Sequence, residues 1–237
     1  MRRIISLSLI LAFSLTASCG TSQEKKDMAI SHYKLGQSEL QTGNTQQAFI
    51  RFHESLNLDP GNYEAHHALG YVNMTMGEYA KAEQNLRKAV DLKPDYSEAW
   101  NSLCTLYHMY MNRLDQAVKA CERALENNLY TTPEKSLYNL CRIYYKKGNH
   151  QKALTYINKA VKRFPNWFPA YYSQALVYNA IGQYNEAALA LETAVGLDPR
   201  FQGDKKKAEK HFRDNRNKKD YFENPREADQ LIEIIHY

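Results

Sequence analysis

Four cysteines and eight histidines are the residues best suited to chemistry in this 237-residue chain. Cys19 closes a leader in which MRR is a short basic region, IISLSLILAFSL an apolar core and TASC a run of small residues. That core is too short to cross a bilayer comfortably, so residues 1–18 read as a secretory signal peptide. Cys104, Cys121 and Cys141 stand apart from it, and none belongs to a CxxC pair. Export to an oxidising compartment allows a disulfide, Cys104 with Cys121 or Cys121 with Cys141. The alternative is three small apolar side chains left reduced in the interior. There is no GxSxG elbow, no HExxH helix, no phosphate-cradling glycine loop and no carboxylate pair in a defined setting. No active site, cofactor or metal is therefore expected.

The elements that hold these residues are read from residues 63–94, YEAHHALGYVNMTMGEYAKAEQNLRKAVDLKP. Ala65, Leu69 and Val72, then Ala82, Leu86 and Val90, recur at helical spacing on either side of MGEY, which predicts two short antiparallel helices closed by Pro94. Thirty-four residues upstream, Leu35-Gly36, Gly43, Ala48, Phe52 and Pro60 repeat the markers. Trp100, Leu103, Tyr107, Ala117, Cys121 and Ala124 form a third copy, with one residue inserted before Asn112. Leu140, Tyr144, Gly148, Ala153, Ile157, Ala160 and Pro165 form a fourth, and Tyr171, Tyr178, Gly182, Ala187, Leu191, Ala194 and Pro199 a fifth. This pattern resembles the tetratricopeptide repeat over about residues 29–200, in copies 29–62, 63–96, 97–133, 134–167 and 168–201. The resemblance implies an all-α fold, a right-handed superhelix of five helical hairpins with a C-terminal capping helix. In that register His32 and His66 take the signature Trp position. Parallel first helices place them about 10 Å apart, too far to share a metal with ligands at about 2 Å. Cys104, Cys121 and Cys141 point into the packed seam.

Leu15-Thr16-Ala17-Ser18-Cys19 is similar to a bacterial lipobox. The resemblance implies cleavage before Cys19 and acylation of that cysteine on both its sulfur and its new amino terminus. Each buried methylene contributes about 0.8 kcal/mol and one chain holds only marginally, so three chains would anchor durably. Gly20 in place of Asp implies, by likeness to sorted lipoproteins, the outer membrane, with the chain facing the periplasm. Residues 19–28 then form a lipidated tether. The net charge of +5 includes Arg2 and Arg3, which leave with the leader, and the remaining basic residues form no stripe, so nucleic acid is not an expected partner.

With no catalytic constellation, function is expected on a surface. Stacked hairpins line a concave groove with their first helices, and such grooves bind peptides or protein segments. Register points Tyr33, Gln37, His67, Tyr71, Met74, Asn101, Thr105, His108, Tyr138, Arg142, Tyr145, Tyr172 and Leu176 into it. Tyrosine there offers area and a hydroxyl at low entropic cost. The carboxylate clamp of chaperone-binding repeat proteins is incomplete: Lys135 and Asn139 would serve in one repeat, but Asn101 and Thr105 stand where Lys and Asn are needed.

The lipobox, the repeat number and the irregular junction in ACERALENNLYTTPEKSLYNLCRIYYKKGNHQKAL together resemble the type IV pilus biogenesis lipoproteins of the PilF, PilW and Tgl family. That likeness implies a pilotin-like role, assisting outer-membrane insertion and multimerisation of a secretin, with a secretin subunit or another pilus or envelope component as partner. A different adaptor, a scaffold for periplasmic proteases or cell-wall enzymes, is the alternative. The family usually has six repeats, and here the sixth is missing or degraded. In residues 202–237, Ala208 and Phe212 suit one face of a capping helix. Ala228 to Tyr237 is apolar enough to dock, at a place the sequence leaves open.

Overall fold

The computed structural model describes residues 2–218 and 224–237, with side chains from Ser22 onward. Among the described residues the regular structure is helical throughout, and it falls into two compact units, Met1–Leu106 and Tyr107–Tyr237.

The first unit holds α1 (Arg2–Gln41), α2 (Thr45–Leu58), α3 (Tyr63–Thr75), α4 (Tyr79–Leu92) and α5 (Ser97–Thr105). Cys19 and the leader lie outside the residues whose side chains are described. Residues 22–28, expected as a tether, continue α1 instead. Their Gln, Glu and Lys residues are good helix formers, and Gln23 Nε2 donates to Asp27 Oδ1 at 3.0 Å one turn on. Helices α1 and α2, then α3 and α4, pair as hairpins. A Cβ built on Gly70 would lie 2.5 Å from Leu86 Cγ, and one on Gly36 2.6 Å from Phe52 Cε1. The bare backbone at these two positions is what lets each pair cross closely. Gly77 closes the α3–α4 turn at a φ of 78°.

The signature Trp position has a recurring job in both units. His66 Nε2 lies 3.1 Å from the Pro60 carbonyl, Trp100 Nε1 donates to Pro94 O at 2.8 Å, and the Tyr171 hydroxyl donates to Pro165 O at 2.9 Å. Each is a brace six residues back, tying the start of a first helix to the proline that ended the preceding repeat. Three different side chains can do it because each presents an N–H or O–H at the end of a flat ring.

The third repeat absorbs its inserted residue in a π-helical turn, Leu106–Tyr110, after α5, and Asn112 takes the left-handed role of the missing glycine with φ 51°. The second unit then runs through α6 (Leu114–Glu126), α7 (Pro133–Lys146), α8 (His150–Arg163), α9 (Phe168–Ala180), α10 (Tyr184–Leu197), α11 (Lys205–Asn215) and α12 (Pro225–Ile235). Helices α7 and α8, then α9 and α10, form its hairpins. One core cluster of this unit joins Leu176, Leu191 and Val195 of the fifth repeat to Phe201, to Ala208 and Phe212 of α11, and to Ala228, Leu231 and Ile234 of α12. Pro225 is the first residue of α12, where its missing N–H costs nothing, and the Asn224 side chain caps the helix by accepting from Arg226 N–H.

Candidate protein-binding face

In the first unit the expected ligand face lies on α1, α3 and α5. Tyr33 and Gln37 on α1 meet through a hydrogen bond from Gln37 Nε2 to the Tyr33 hydroxyl at 2.8 Å, and Tyr71 on α3 is exposed. Burial, reinforced by Glu64, pushes the Tyr33 phenol up to about 12, so it stays a neutral donor. His67 departs from the expectation. Its Nδ1 lies 3.1 Å from the Tyr96 hydroxyl and its Nε2 2.9 Å from Ser102 Oγ, so the ring braces α3 to α5. Burial lowers this imidazole to about 4. Met74 is also buried. Asn101 and Thr105 are half-buried, the Thr105 hydroxyl donating to the Asn101 carbonyl one turn back.

Register alone overlooks the aromatic knot beside His67. Tyr63 and Tyr96 meet edge to face at 5.0 Å, Tyr96 meets His67 at 5.2 Å, and Lys93 Nζ donates to the Tyr63 hydroxyl from above its ring. The same device recurs in the second unit, where Tyr138 meets Trp167 edge to face at 5.3 Å. Tyr96 and Trp167 each precede a first helix and sit 29 residues after His67 and Tyr138. That offset was available in the sequence as a signal for a brace between repeats.

In the second unit the face lies on α7 and α9, and α12 covers it. Arg142 of α7 pairs with Glu227 of α12 at 2.5 Å, both side chains under a tenth exposed. The Tyr145 hydroxyl donates to Gln230 Oε1 at 3.3 Å, and the Tyr237 hydroxyl to Asn179 Oδ1 at 2.8 Å. Leu176 is buried in the cluster shared with α12. The Tyr172 hydroxyl donates to Asp198 Oδ2 at 3.0 Å. Burial opposes the Asp198 charge, but hydrogen bonds from the side chain and backbone of Arg200 and from Tyr172 hold its carboxyl below the usual range. His108 is buried as well. Arg142, Leu176 and His108, assigned by register to an open groove, are thus taken up inside the fold, the first two because a helix with no repeat signature docks on them.

Cys104 and Cys121 are disulfide-bonded, while Cys141 is buried as a thiol outside any disulfide. The pairing that would use Cys141 is therefore not formed. His32 lies 2.9 Å from Glu54 and His66 3.2 Å from Asn85, and no cluster among the described residues could hold a metal ion.

Residues 39–107 match the tetratricopeptide repeat family, and residues 110–194 match the family described as anaphase-promoting complex, cyclosome, subunit 3. The chain is a tetratricopeptide-repeat protein. Among its relatives, the type IV pilus assembly protein PilF of Pseudomonas aeruginosa is 27% identical over 166 residues, covering 66% of this chain and 65% of PilF. The solved structure of Pseudomonas aeruginosa pilF superimposes with a TM-score of 0.71 at 20% identity, covering 88% of this chain and 90% of that one. PilW, described as a widely conserved type IV pilus biogenesis factor, gives a TM-score of 0.71 at 19% identity, covering 86% and 90%. At these identities the two structures speak for the fold alone. The repeat protein spans less than two thirds of the length of the curated relatives it matches.

Proposed function

We propose that this repeat protein is a non-catalytic adaptor of type IV pilus biogenesis, anchored through acylated Cys19 to the periplasmic leaflet of the outer membrane. The relationship to PilF over 66% of the chain carries the reading. The lipid holds the chain at the membrane, and the first-helix face captures a segment of a secretin subunit, so that subunits reach the bilayer together and close into a ring. The accessible part of that face in the first unit, exposed Tyr71 on α3 and Gln37 bonded to half-buried Tyr33 on α1, suits such a segment. Aromatic rings supply contact area with few rotors to freeze, and the amide and hydroxyls can satisfy a peptide backbone.

A strain lacking the gene tests this. Its outer membrane should hold secretin monomers in place of heat-resistant multimers, and complementation should restore the multimers. Normal multimers in the deletion strain would remove the pilotin role.

A further inference from the structure

Helix α12 is too short to be stable alone, and beyond Ala228 it has none of the small-residue markers by which the second helix of a repeat packs on its own first helix. Two of its polar contacts reach back 85 residues to α7, through Glu227 to Arg142 and Gln230 to Tyr145, and on its outer side Asp229 pairs with Arg216 just after α11. Its buried residues, Glu227, Ala228, Leu231 and Ile234, form one stripe, while Arg226, Asp229 and Glu233 face solvent. A short amphipathic helix laid on neighbouring helices by an i, i+4, i+7 stripe is how a separate ligand helix is bound.

We infer that the α7–α9 face is a binding site for a short amphipathic helix, and that α12 is its resident occupant in cis. The partner that fits has α12's chemistry: a carboxylate in the first turn to meet Arg142, then Leu or Ile four and seven residues later to enter the pocket beside Leu176 and Leu191. The carboxylate sets the register, because Arg142 is buried and carries a full charge whatever sits above it. The apolar pair supplies the affinity. A partner helix of this kind replaces α12 contact for contact, so neither Arg142 nor the apolar cluster is left bare. This inference rests on the proposed use of first-helix faces for protein capture, but it concerns the second unit and needs no pilus partner.

Two measurements on the full chain test it. In wild-type protein, amide hydrogens in residues 229–235 should exchange at least tenfold faster than those in α9 and α10, since α12 leaves without unfolding its host. Equal protection would make α12 an integral cap and overturn the inference. In the Leu231→Asp/Ile234→Asp variant, α12 should undock, and a fluorescein-labelled peptide of residues 224–237 should bind one to one. The same peptide should bind wild type at least tenfold more weakly, because the cis helix competes. Glu227→Ala in the peptide should cost at least a further tenfold. A folded variant that does not bind the peptide, or one whose repeats melt when α12 is released, would sink the proposal. Secretin multimers are measured separately, so either reading can fail without the other.

Discussion

His67 shows how a side chain in a ligand-facing register can become part of the frame. Both ring nitrogens are engaged by hydroxyls of other residues, and hydroxyls can donate to one nitrogen and accept from the other, so the neutral ring is satisfied whichever tautomer it adopts. A protonated ring would need two acceptors in a site where burial already opposes charge. The folded imidazole titrates at about 4 against an ordinary 6.5. As pH falls, the unfolded chain takes up this proton first. The contribution is therefore complete above about 6.5 and is lost progressively down to about 4, amounting to about 3 kcal/mol. Urea titrations across that window should show wild type losing this much more stability than His67→Gln, and parallel curves would refute the assignment. Cysteine chemistry gives a second check. A Cys19→Ala chain, denatured without reductant, should titrate one thiol, that of Cys141, and three would contradict the bonded state of Cys104 and Cys121.

Between whole helices, two glycines do different physical jobs. At Gly70 a methyl group would press on Leu86 at 2.5 Å, whereas at Gly77 it would meet open space but require a left-handed backbone. Gly70→Ala should cost about 1–3 kcal/mol through overpacking, and Gly77→Ala about 1–2 kcal/mol through strain. Urea melts separate the causes. Adding Leu86→Ala should make the Gly70→Ala double variant more stable than the sum of the singles by about 1 kcal/mol or more, and the same addition should leave the Gly77→Ala cost unchanged. Helix α12 belongs to a different kind of contact. Removing Arg142 would cost about 3–5 kcal/mol if Glu227 had to remain buried without its partner. A terminal helix can escape that penalty by leaving, so Arg142→Ala should release α12 while α9 and α10 keep their exchange protection. Loss of protection in all three helices would show that they unfold together.

For the whole molecule, the proposed lipid anchor predicts that Cys19→Ala leaves the helical signal and melting curve of the repeats intact while moving the chain from the membrane to the soluble fraction. Unchanged fractionation would end the lipid-anchor proposal. The repeats were legible in the sequence because their determinants are local. Apolar residues at helical spacing, a glycine at every tight turn but the third and a proline closing each repeat recur at a 34-residue period outside the third copy, and that irregular copy announced its extra residue before the π-turn absorbed it. The candidate face was legible only as positions on first helices. Which of those positions stay open depends on contacts between residues distant in sequence. Tyr96 reaches His67 across 29 residues, and Glu227 reaches Arg142 across 85. The first offset recurs between repeats, but no period links the second pair, because α12 lacks the repeat and is held by an apolar stripe and a buried charge pair that many surfaces could have accepted. The helical pairs follow from near-neighbour spacing in the chain, whereas the covering of the α7–α9 face required the folded arrangement, since only there do Arg142, Leu176 and Leu191 come together as one site.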